Sequence, residues 1–260
     1  MFAWYLFFLL IVICLPGIAL SIPRSLGALR GQIEANLRPG QAMPSFPVLV
    51  LVSALQALVV AAAAAAVGVA TMTQTGFEAP FWQGVATGRF DGAALGGQLL
   101  AGFVGALICL VPFLGLYYGV FRPRLDAHTV QVTEALRARL GLAGRLLHGG
   151  IFEEVLFRWG VMGLLVWLGT LLNGSVNAVI VWLAIFLAGL LFAAGHLPGS
   201  YAAGARKSPL LTTAVLTLNG WAAIIFGYLF WQYGLTAAIT AHMLLHLFWY
   251  PIERIYGSRD

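Results

Sequence analysis

Charge is what this sequence lacks most: 9% of its 260 residues are Asp, Glu, Lys or Arg, against about 25% in soluble domains. With 61% of the chain apolar, a water-facing surface cannot be assembled, so the surface has to face lipid. Lysine is nearly absent, Lys207 being the single example, and the net charge of +5 is carried by scattered arginines. No basic stripe interleaved with aromatics exists, which argues against a nucleic-acid partner. Cysteine is also scarce. Cys14 and Cys109 fall inside apolar runs, form no CxxC, and supply neither a disulfide framework nor a thiolate metal site.

What is present is a succession of seven apolar runs, over about 2–20, 46–72, 93–121, 149–172, 176–197, 209–231 and 235–252. The expected fold is all-α: one polytopic membrane bundle over 1–260 with about seven transmembrane helices. Asn173-Gly174-Ser175 and the break at Gln232–Gly234 are short enough to join antiparallel neighbours. The first run lacks the basic segment of a secretory signal, so an uncleaved first span is expected, with Ala19-Leu20-Ser21 as a cleavage option. With the N-terminus outside, the inner segments hold Arg24, Arg30, Arg38, Arg122, Arg124, Arg137, Arg139, Arg145, Arg206, Lys207, Arg254 and Arg259, and the outer ones only Arg89. This asymmetry predicts an N-out, C-in topology. In the 122–148 segment Val132, Leu136, Leu140 and Leu147 share a helical face, with Glu134, Arg137 and Arg139 elsewhere. That pattern suits an interfacial amphipathic helix or a packed connector. The alanine run 60–66 predicts close helix packing, and no internal repeat supports a duplicated transporter.

Ionisable groups inside spans are costly, at about 2.5–3.5 kcal/mol each near mid-span. The fourth run nevertheless carries Glu153, Glu154 and Arg158. Glu154 and Arg158, four apart, can pair on one face, whereas Glu153 has no local cation and suits a general base. A structural ion pair with a spare carboxylate is the plainer alternative. His196 ends the fifth run, and His242 and His246 are four apart in the seventh, a spacing by which two imidazoles can hold a metal or a water. His128 and His148 fall in or beside the 122–148 segment. In the N-out topology Glu153 lies about one turn inside the cytoplasmic face, His196 at that face, and His246 and His242 about 9 and 15 Å from it. All four share the cytoplasmic half. HExxH, GxSG and GxGD are absent, and Asp91, Asp126 and Asp260 all lie outside the runs. Site-2-type zinc, rhomboid serine and aspartyl intramembrane chemistries are thereby excluded.

Glu153-Glu154-x-x-x-Arg158, then Phe192-x-x-x-His196, then His242 opening a four-spaced pair, resembles the CPBP family. This is the CAAX prenyl protease 2 and bacteriocin-processing (Abi) group of intramembrane endopeptidases. The resemblance covers roughly 145–250, a core of four spans. It implies that Glu153 activates a water oriented by His196, that Arg158 holds Glu154, and that His242 stabilises the oxyanion. The family's last motif usually ends in Asn or Asp, where this chain has His246. A neutral His there could donate a hydrogen bond, or join Glu153, His196 and His242 in holding a divalent metal such as zinc. Zinc-assisted and metal-free glutamate mechanisms both stay open. The implied substrate is a membrane-associated protein or peptide, cut near the cytoplasmic face. The Arg-rich, Lys-poor composition points to a bacterial inner membrane and weighs against a prenylated substrate in favour of sorting-type C-terminal processing. A non-catalytic immunity or scaffold protein is the first rival. A proton relay or transporter is the second, disfavoured because the residues gather at one face.

Overall fold

In a bilayer every backbone N–H and C=O must find a partner within the protein, which leaves helices or a closed barrel. The computed structural model is all-helical, with no strand among the described residues, which are 2–35, 37–38, 41–89 and 91–257; Arg259 and Asp260 of the C-terminal tail lie outside them. In chain order the helices are α1 (Trp4–Ala35), α2 (Phe46–Thr75), α3 (Pro80–Thr87), α4 (Gly92–Leu114), α5 (Ala127–Gly144), α6 (Gly163–Asn173), α7 (Ala178–Ala202), α8 (Pro209–Tyr233) and α9 (Leu235–Gly257). Seven helical runs are long and apolar enough to cross a membrane, at the seven places the hydropathy predicts. The short α3 lies between the second and third.

Side chains that cap chain ends define the boundaries. Asp91, Asn177 and Ser208 accept hydrogen bonds from backbone N–H groups in the first turns of α4, α7 and α8. Asp126 does the same for α5 through Thr129 N at 3.1 Å. Hydrogen bonding from the Thr129 side chain, then from its backbone N–H, with the Arg206 charge nearby, holds the Asp126 carboxyl below its ordinary range. Gly174 ends α6 at φ 79°, a left-handed conformation that suits glycine, and so turns the chain directly into α7.

Small residues set how closely the spans approach. Gly160 faces Ala64, and a Cβ added at Gly160 would lie 2.7 Å from the Ala64 Cβ. Gly68 faces Trp159, and a Cβ at Gly17 would meet the Leu147 carbonyl. The alanine run thus packs against the helix carrying Glu153 and Glu154, with Ala61, Ala64 and Ala65 all buried. Elsewhere α4 lies along α9, and α7 along α8.

The 127–173 run departs from a simple loop plus span. It is one helical path of 47 residues, bent at Gly141, whose backbone sits at φ 67° and ψ 166°. Beyond the bend it is π-wound over Arg145–Glu153 and Val155–Met162. Such wide turns recur at functional sites because they re-aim side chains. The 122–148 segment forms a helix that packs against its neighbours: α5 lies against α1 and α9. Glu134 and Arg137 turn inward, because Arg122 and Glu253 wait there at 2.8 Å and 2.7 Å. Arg139 stays exposed and donates to Ala28 O.

Candidate active site

Glu154 occupies the centre of a buried triad. Its Oε1 lies 2.8 Å from His242 Nδ1 on α9, and its Oε2 lies 3.2 Å from Arg158 Nε one turn along its own helix. The i,i+4 pairing predicted from spacing survives the π winding. Exposures of 0% for Glu154, 1% for Arg158 and 3% for His242 place the triad beyond both water and lipid. Aromatic rings replace solvent around it. The Arg158 guanidinium carbon lies 5.0 Å from the Phe192 ring and 5.8 Å from that of Phe226, and Phe226 stacks on His242 at 4.6 Å. Cation–π contact partly compensates the desolvated guanidinium, whose Nε and Nη2 find no protein hydrogen-bond acceptor.

The neighbouring Glu153 is treated differently. It is half-buried, and among the described residues its carboxylate makes no ion pair. Its charge is close enough to act on both His148 and Arg158. His196 on α7 is half-buried, with Nδ1 2.8 Å from Phe192 O. A carbonyl can only accept, so His196 carries its proton on Nδ1 and, when neutral, offers an Nε2 lone pair. His246 lies one turn beyond His242, the two rings 5.0 Å apart. Both Nε2 atoms face Gly149: a Cβ there would sit 3.0 Å from His246 Nε2 and 3.3 Å from His242 Nε2. Gly149 therefore keeps open the space bordered by both rings.

The structure thus brings Glu154, Arg158 and His242 into direct contact and sets His246 against His242. No hydrogen bond links Glu153 to His196. Among the described residues no group of three or more His, Cys, Asp and Glu side chains is gathered as a metal ion would need. Of the four proposed ligands, His246 has Nδ1 facing the Arg145 guanidinium and so its proton on Nε2, while His242, held at Nδ1 by Glu154, keeps Nε2 available. As arranged, Glu153, His196, His242 and His246 do not form a ligand set for zinc, and no step below passes through a metal.

Two neighbours escaped the sequence reading. His148 is hydrogen-bonded at 3.0 Å to Ser21 of α1 and stacks on Phe152, and the charge of Glu153 acts on it. Arg145 donates to His246 Nδ1 from Nη2 at 3.2 Å. The π winding, which relates residues five apart, has no signature in the hydropathy pattern. His128, by contrast, is exposed, with Nε2 3.2 Å from Gly204 O.

Residues 136–248 match the family model for type II CAAX prenyl endopeptidase Rce1-like proteins. This match supports the CPBP resemblance over these residues. No curated protein and no solved structure matches the chain. The matched segment contains Glu153, Glu154, Arg158, His196, His242 and His246, and also Arg145 and His148. The helices α1 to α4 precede it, yet Ser21, Gly17, Ala64 and Gly68 all press on the segment's first span.

Proposed function

We propose that this protein is an intramembrane endopeptidase that hydrolyses a peptide bond of a membrane-associated protein near the cytoplasmic face. The observation that carries the reading is the division of labour between adjacent carboxylates. Glu154 is ion-paired with Arg158 and hydrogen-bonded to His242, whereas Glu153 makes no ion pair among the described residues and its charge acts on the His148 imidazole.

In this reading Glu153 takes a proton from a water whose other hydrogen is held by the His196 Nε2 lone pair. The water oxygen attacks the scissile carbonyl carbon, and negative charge passes to the carbonyl oxygen over Gly149, beside His242 and His246. Collapse of the tetrahedral species breaks the C–N bond, and the proton on Glu153 passes to the leaving amine. Glu154 and Arg158 hold His242 in place. The CAAX prenyl endopeptidase activity of the matched family brings a C-terminal lipid-modified peptide into consideration. The composition favours instead a sorting- or maturation-type substrate in a bacterial inner membrane. The distribution of arginines supports reading the orientation as N-out, C-in.

The test is cleavage by the purified protein in lipid vesicles, offered farnesylated C-terminal peptides and unprenylated membrane-anchored peptides, with metal content measured in the same samples. Expected are cleavage by the wild type and its loss in folded Glu153→Gln and His196→Ala. Retained cleavage in both variants would overturn the catalytic assignment. A stoichiometric transition metal lost from both would overturn the metal-free route.

A further inference from the structure

A network of charges on no motif joins α5, the 115–124 segment that continues α4, and α9 beside the site. Arg122 and Tyr117 both reach Glu134, Tyr117 accepts from Arg137, and Arg137 pairs with Glu253 of α9. Glu253 also holds Arg145, whose guanidinium carbon lies 5.0 Å from the Trp249 ring. Arg145 is only 6% exposed, and its remaining direction is occupied by His246: Nε and Nη2 lie 3.4 and 3.2 Å from His246 Nδ1.

The chemistry of that contact is unambiguous. A guanidinium has donors and no acceptor, so His246 Nδ1 must carry the lone pair. The ring proton is then on Nε2, the atom that faces Gly149. His242 is held the other way. Its Nδ1 meets the Glu154 carboxylate, which can only accept, so a neutral His242 presents a lone pair at Nε2. The two imidazoles, one turn apart, face the same space with opposite hydrogen-bonding character.

We propose that Arg145, anchored by Glu253, is a positioning residue that fixes the His246 proton on Nε2 and thereby makes His246 the neutral hydrogen-bond donor for the oxyanion. The proposal rests on the endopeptidase reading above. It accounts for a histidine where Asn or Asp is usual: unlike an Asn amide, a neutral imidazole donates from Nε2 only when Nδ1 is kept unprotonated, and Arg145 keeps it so.

The test pairs a spectroscopic measurement with a double-mutant cycle. In protein labelled with nitrogen-15 histidine, the ring pattern that disappears in His246→Asn should show a protonated Nε2 and an unprotonated Nδ1. In Arg145→Met that pattern should shift toward a tautomeric mixture, and Arg145→Lys, which retains a donor and the Glu253 pairing, should restore it. In the cleavage assay Arg145→Met should lower kcat roughly tenfold with KM changed less than about twofold, a smaller loss than the ~10²–10³ for deleting an oxyanion donor. In a His246→Asn background, whose amide donates without help, the same substitution should cost less than about twofold. An equal loss in both backgrounds would reduce Arg145 to a structural residue, and a protonated Nδ1 on wild-type His246 would overturn the lock. If the wild type cleaves nothing, the endopeptidase reading fails, while the tautomer measurement still decides whether Arg145 sets the proton.

Discussion

Glu153 and Glu154 follow one another in the chain, yet only Glu154 has fixed partners. Removing one member of a buried ion pair leaves the other charge stranded, at about 3–5 kcal/mol. Arg158→Met should therefore destabilise the protein by about that much, read from denaturant or thermal unfolding in mild detergent. Glu153→Gln, at a half-buried side chain with no ion pair, should change stability by less than about 0.5 kcal/mol. Equal destabilisation by both would contradict the division between structural and reactive carboxylate. The Glu154–Arg158 pairing was legible in the sequence, since both residues lie within one helical turn. The third partner, His242, lies 88 residues away, and no local spacing rule could join it to Glu154 instead of Glu153. Arg145 was counted only as a loop charge, because its partners Glu253 and His246 come from the last span.

At the level of elements, the hydropathy runs locate the spans because lipid demands long apolar helices whatever their partners. The winding of the helix bearing the two carboxylates is another matter. Its π turns over Arg145–Glu153 and Val155–Met162 reflect how it packs on α1, α2 and α9, and that is tertiary information. Likewise Glu134 and Arg137 look like the wet face of an amphipathic helix until Arg122 and Glu253 are placed beside them. The alanine run was the exception, since small side chains signal a close crossing directly. Gly160→Ala should destabilise by about 1–3 kcal/mol, because the new methyl would meet Ala64 Cα at 2.9 Å as well as its Cβ. Gly97→Ala on α4, where a Cβ meets nothing within 4 Å, should be neutral or stabilising by up to about 1 kcal/mol. Matching losses at the two positions would contradict the close α2 crossing.

Across the whole molecule, the residues of the site come from three spans of the matched segment, and α1 and α2 press on the first of these from outside it. Orientation is testable with the chain's own chemistry, because Cys14 and Cys109 are both fully buried and unpaired. A membrane-impermeant maleimide should label Ser175→Cys in intact cells and Ala202→Cys only after permeabilisation. The reverse pattern would put the site at the other face. The central claim, that Glu153 activates water for peptide hydrolysis, is tested most directly by cleavage in oxygen-18 water. Wild-type protein in vesicles should place one labelled oxygen in the new carboxyl terminus. Folded Glu153→Gln should lower the rate of that incorporation by about 10²–10⁴-fold, the contribution expected of a general base. A Glu153→Gln rate within about threefold of wild type would contradict it.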